Sequence, residues 1–122
     1  MHELSICQAL IEQVVQIADE HHAVRVTDIY LTIGPLSGVE PHLLEQAFPF
    51  AAVETVAENA RLTIAKSPVK VYCDNCGKET IVAANKLLCG ECGTWQTELR
   101  GGDEMILQRV ELESRSDNGL II

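Results

Sequence analysis

The chain has 122 residues, 47% of them hydrophobic, with 9 Lys and Arg against 18 Asp and Glu and a formal charge of −9 at pH 7. That length and apolar content provide one ordinary domain, or a small domain carrying a smaller module, with a real core, and they exclude an intrinsically disordered chain. The acidic balance argues against a protein that coats nucleic acid or an anionic membrane, because both demand clustered Lys and Arg.

The first residues, Met1-His2-Glu3-Leu4-Ser5, lack the positive start and apolar stretch of a signal peptide, and no apolar run reaches the length of a membrane span. The chain is therefore expected to begin at Met1 and to reside in the cytoplasm. From Leu4 to Ala18 the apolar positions Leu4, Cys7, Leu10, Ile11, Val14, Val15 and Ala18 recur at threes and fours, which describes one stripe on a helix. Ser5 with Gln8 has the spacing of a capping box. Cys7 falls on the stripe and is expected to be a buried, inert thiol. His21-His22 reads as a solvated helix end, and Glu12, Asp19 and Glu20 as a solvated helix face.

Val26 to Ile33 alternates, with Ile29, Leu31 and Ile33 on one face, and Gly34-Pro35 then closes the strand in a turn. Pro41 suits the first turn of a second helix through Leu43, Leu44, Ala47, Phe48 and Ala51 toward Ala57, which Pro49 should kink or break. His42, at its start, reads as a surface histidine within reach of Glu40. Arg61–Lys66 and Glu104 to Glu113 read as two further strands, with Gly101-Gly102 turning the chain into the last one. Helix, strand, helix, strand, module, strand predicts an α+β fold: two helices packed on a small three-stranded sheet, with an inserted four-cysteine zinc-ribbon module. The expected division is 1–68 with 103–113 as the α+β domain, 69–102 as the zinc-binding module and 114–122 as a loose tail.

Four of the five cysteines form the pairs Cys73-Asp-Asn-Cys76-Gly77 and Cys89-Gly-Glu-Cys92-Gly93, twelve residues apart. A two-residue gap folds into a tight knuckle that offers two thiolates to one ion, and two facing knuckles supply the tetrahedron that Zn²⁺ prefers. Four protein thiolates close the coordination sphere, so the expected zinc is structural, with no place for an activated water. A redox dithiol would need only one pair, in a βαβ setting that is absent here. A nucleic-acid-binding ribbon is the competing reading. Lys70, Lys78, Lys86 and Arg100 are balanced by Asp74, Glu79, Glu91 and Glu98, leaving no net positive charge for phosphates. Trp95 is expected to pack on the ribbon rather than stack on a base.

His2 matters because of its position. The α-amine of Met1, the backbone nitrogen of His2 and its imidazole can close two small chelate rings on one ion, and Ni²⁺ or Cu²⁺ favours the planar nitrogen geometry that results. Glu3 could add a further donor. No Gly-rich phosphate loop and no nucleophile-base-acid arrangement appears, so a carrier is expected and not an enzyme.

The start Met1-His2-Glu3-Leu4-Ser5-Ile6, the segment Ile33-Gly34-Pro35-Leu36-Ser37-Gly38-Val39-Glu40, the two C-x-x-C-G knuckles and Gly101-Gly102-Asp103-Glu104-Met105 together resemble the HypA/HybF family of nickel-insertion accessory proteins of [NiFe]-hydrogenase maturation. The likeness runs in order from residue 1 to about 113. It implies a nickel metallochaperone with Ni(II) as transferred cargo at Met1, His2 and Glu3, and an acidic loop residue, here Glu40, helping at that site. It further implies a structural Zn(2+) on Cys73, Cys76, Cys89 and Cys92, a HypB-like hydrogenase maturation GTPase as partner, and the hydrogenase large subunit as client. Urease is the minority client, a homodimer is compatible with the sequence, and the family gives no role to the tail.

Overall fold

A computed structural model describes residues 3–114 and 119–121; Met1 and His2 lie outside them. The elements in chain order are α1 (Glu3–Glu20), β1 (Ala23–Ile33), α2 (Pro41–Ala52), β2 (Arg61–Lys66), β3 (Val69–Cys73), β4 (Glu79–Val82), β5 (Thr97–Gly101), β6 (Met105–Ser114) and β7 (Gly119–Ile121). They form a four-stranded sheet in the order β2-β1-β6-β7 and a three-stranded sheet in the order β4-β3-β5. The fold is α+β, with two helices, as the hydrophobic periods predict. The chain divides into two compact units, Met1–Leu31 with Val39–Ile64 and Leu107–Ile122, and Thr32–Gly38 with Ala65–Ile106.

In the first unit the stripe on α1 buries Cys7, Leu10, Ile11, Val14 and Ala18, while Leu4 at its edge stays exposed. The helix begins before Ser5, so Ser5 lies inside the first turn and the capping box expected from Ser5 and Gln8 does not form. At the other end the Ile17 carbonyl accepts the His21 backbone amide at 3.2 Å and also meets the His21 ring at 2.9 Å, so one residue closes the last turn twice. Helix α2 buries Leu44, Phe48 and Ala52. It passes through Pro49, contrary to the expected break, and ends at Ala52 rather than near Ala57. Pro49 lacks an N–H to give to residue 45, but a helix held by buried apolar side chains tolerates one missing bond. The buried thiol of Cys7 donates to the Leu44 carbonyl at 3.4 Å, tying α1 to α2.

On β1 the alternation holds from Ile29 through Leu31 to Ile33, all buried. Two residues, Thr27 and Asp28, separate the buried Val26 from Ile29 and break the alternation, and there the Val26 amide donates to the Val56 carbonyl of the segment after α2. Arg25 pairs with Glu113, and Arg109 lies 4.0 Å over the Tyr30 ring, so side chains of β1 and β6 interlock along their length. The tail departs from expectation at 119–121, which pair antiparallel with β6 in the register Glu111↔Ile121, Leu112↔Leu120 and Glu113↔Gly119. An apolar Leu-Ile-Ile end reads as unpatterned by period alone, yet a three-residue strand needs only an open ladder beside it.

The second unit is built on β3, which pairs antiparallel with β4 on one side and β5 on the other. Val69, Val71 and Cys73 point to its buried face. Gly34 and Gly102 approach so closely that a Cβ on Gly34 would sit 2.2 Å from the Gly102 carbonyl carbon. The Gly34 amide donates to Glu104 O at 2.8 Å and the Leu36 amide to Gly102 O at 2.7 Å, so this loop is laced to the turn that precedes β6.

Candidate metal centre

The two knuckles are local copies of one another. In the first, the Cys73 amide donates to Lys78 O at 2.9 Å and the Gly77 amide to Cys73 O at 2.9 Å; in the second, the Cys89 amide donates to Thr94 O at 2.9 Å and the Gly93 amide to Cys89 O at 2.9 Å. Gly77 and Gly93 close the turns at φ 71° and 75°, a left-handed conformation that costs a side-chain-bearing residue about 1 kcal/mol or more. This is the physical reason for a glycine after each second cysteine. Backbone amides aim at the sulfurs: Cys76 N lies 3.3 Å from Cys73 Sγ, and Glu91 N and Cys92 N lie 3.3 and 3.4 Å from Cys89 Sγ. The Cys92 and Glu91 amides hold the Cys89 thiol below its ordinary value of 9.0, favouring the thiolate that a metal needs.

Neighbouring strands brace the second knuckle. Gly90 N donates to Thr80 Oγ1 of β4 at 3.0 Å, and Thr97 Oγ1 of β5 donates to the Leu87 carbonyl at 2.8 Å.

All four sulfurs lie within 4.8 Å of one another, with Cys73–Cys92 and Cys76–Cys89 each 3.6 Å apart. Four thiolates bonded to zinc at about 2.3 Å occupy a tetrahedron with edges of about 3.8 Å, so the donor set fits Zn²⁺ in both chemistry and spacing. No cysteine is paired in a disulfide. The arrangement fits a closed structural zinc site, and zinc there would cross-link two knuckles that share little apolar core.

The chain matches the family described as hydrogenase/urease nickel incorporation, metallochaperone, hypA, over residues 1–112. It belongs to that family. It is 51% identical to the hydrogenase maturation factor HypA of Nitrosospira multiformis over 112 residues, covering 92% of this chain and 97% of that one. The factor of the same name from Aquifex aeolicus is 43% identical, with 93% and 98% covered. Among solved structures, the Ni metallochaperone HypA from Helicobacter pylori superposes with a TM-score of 0.69 at 26% identity, covering 94% of this chain and all of that one. The family is one of nickel metallochaperones and maturation factors, so nickel is the cargo, and the four-cysteine cluster suits zinc as the resident metal. In this chain no helix among the described residues is long and apolar enough to cross a membrane.

Of the nickel-site residues expected from the sequence, Glu3 opens α1 and lines a shallow hollow with Leu4, Leu43, Gln46, Ala47 and Phe50. Gln46 in turn meets His42 Nε2 at 3.2 Å. Glu40 stands at the N-cap of α2 and makes no side-chain capping bond. Trp95 corrects an expectation: it is 76% exposed and does not pack on the ribbon, because it sits in the turn between the second knuckle and β5. Sequence reasoning passed over Asn75, whose amide reaches toward Cys92 Sγ at 3.8 Å, and Thr80. Asn75 lies between the first two ligands, where a donor side chain can curl onto a sulfur. Thr80 carries no such signal.

Proposed function

We propose that this chain binds Ni(II) at its N-terminus, through the Met1 amine, His2 and Glu3 with help from Glu40, and delivers it in the cytoplasm to the large subunit of [NiFe]-hydrogenase. One observation carries the reading. Among the described residues, the four cysteines are the one group of three or more His, Cys, Asp or Glu donors near enough to share an ion, and their sphere is closed. A labile cargo therefore needs other donors, and nitrogen donors at the start of the chain suit nickel better than zinc. Glu3 at the first described turn of α1, and Glu40 with its carboxylate uncommitted to capping, are consistent with that role.

In this reading thiolates hold zinc permanently, while the amine and imidazole hold nickel loosely enough to give it up. Residues 1–68 and 103–113 form the nickel-handling part, 69–102 the zinc module, and 114–122 lie outside the transfer. A HypB-like GTPase assists handover, and a homodimer would double the number of sites. The names of the relatives favour hydrogenase as the client over urease.

Nickel titration of the untagged protein, beside His2→Ala and a form extended by several residues at its N-terminus, tests the proposal. Wild type should bind one exchangeable nickel in addition to one zinc, and both altered forms should lose it. Equal nickel binding by all three would remove the N-terminal site from consideration.

A further inference from the structure

The four sulfurs are equivalent in chemistry but not in surroundings. Cys73 and Cys89 are buried at 0% and 4% exposure, Cys76 is half-buried and Cys92 is exposed. Backbone amides of the knuckles donate to Cys73 Sγ and Cys89 Sγ, whereas Cys92 Sγ faces the Asn75 side-chain amide at a long 3.8 Å. A hydrogen bond to a thiolate withdraws charge from the sulfur and burial denies access, so both differences make Cys92 the readiest nucleophile of the set. Cys73 Sγ, from the opposite knuckle, lies 3.6 Å from its sulfur.

We propose that Cys92 is a peroxide-reactive modification site and that Cys73 is its resolving partner, so that oxidation of the zinc module proceeds through a disulfide between knuckles rather than within one. The inference rests on the zinc reading of the four cysteines. In the first step the Cys92 thiolate attacks one oxygen of hydrogen peroxide, the O–O bond breaks, hydroxide leaves and Cys92 becomes a sulfenic acid. In the second the Cys73 thiolate attacks the Cys92 sulfur and expels hydroxide. Two protons convert both hydroxides to water, and the two electrons taken from the sulfurs reside in the reduced oxygens. The product withdraws two of four thiolates from the donor set and opens a closed site.

Zinc-loaded full-length protein treated with hydrogen peroxide and a sulfenic-acid trap such as dimedone, followed by peptide mass spectrometry, reads the first step. The expected adduct is on Cys92, with Cys7 unmodified. Without the trap, the first disulfide should join Cys73 to Cys92, and zinc captured by a chromogenic chelator should appear at the same rate. Cys92→Ser should release zinc at least tenfold more slowly under peroxide; if that variant does not hold zinc, the wild-type adduct map decides alone. First labelling of any other cysteine, a first disulfide within a knuckle, or undiminished release from Cys92→Ser overturns the proposal. Protein that carries no zinc at the outset overturns the zinc reading beneath it as well.

Discussion

Ser67 donates its hydroxyl to Glu104 Oε1 at 2.7 Å, and the same carboxylate oxygen accepts the Gly102 amide at 2.9 Å. One charged side chain thus satisfies donors from the segment after β2 and from the turn before β6. The Ser67 hydroxyl, then the amide of Glu104 itself, with Gly102 and the charge of Lys70 adding to them, hold the carboxyl below its ordinary value of 4.5.

A carboxyl lowered on folding contributes stability that is present above its unfolded value and disappears as pH falls through the folded one. Thermal unfolding followed from pH 7 to pH 3 should therefore show a drop below about pH 4.5 that is shallower in Glu104→Gln. Ser67→Ala should lie between the two. Parallel profiles for wild type and Glu104→Gln would show that the carboxylate does not report on folding.

Gly34→Ala should be among the most damaging single-methyl additions in the chain. Its Cβ would collide at 2.2 Å with the Gly102 backbone, which is itself held by hydrogen bonds and cannot yield as a side-chain tip would. Overpacking against backbone costs about 3 kcal/mol. The urea midpoint should fall accordingly, with the slope of the transition unchanged.

Leu44 is fully buried on α2, and the buried Cys7 thiol donates to its carbonyl. Leu44→Ala should cost about 3 kcal/mol through lost burial and the cavity left behind. Burial, and then the Glu3 carboxylate, push the Cys7 thiol up from 9.0 to about 11. Its contribution to stability is full below pH 9 and is lost as pH rises toward 11, so alkaline unfolding should be less steep in Cys7→Ala. Alkylation of native protein at pH 8 should spare Cys7 until urea is added.

Chelating the zinc should unfold the module selectively. Strand β3 buries Val69, Val71 and Cys73 and the second knuckle buries Cys89, a small core for residues held by three short strands. Amide resonances from residues 69–101 should collapse toward random-coil positions, while those of α1 and α2 keep their dispersion. Retention of a dispersed module after complete zinc removal would show that the apolar contacts suffice.

The residues by themselves determined a good deal. The spacing of Cys7, Leu10, Ile11, Val14 and Ala18 specified α1, and the alternation of Ile29, Leu31 and Ile33 specified most of β1. These periods come from backbone geometry and survive any tertiary context. The paired C-x-x-C-G segments specified the knuckles for the same reason: ligand spacing and a left-handed glycine are local requirements. Relations between segments distant in sequence needed the folded chain. Ser5 is not a cap because α1 begins earlier, Pro49 is carried within α2 by buried neighbours, and 119–121 form a strand because β6 offers an edge. Trp95 is exposed although its composition suggested packing, and Cys92 differs from its three fellow ligands through burial and amide contacts that no spacing encodes. Local geometry is written in neighbouring residues, whereas exposure and hydrogen-bond partners depend on which remote segments the fold brings alongside.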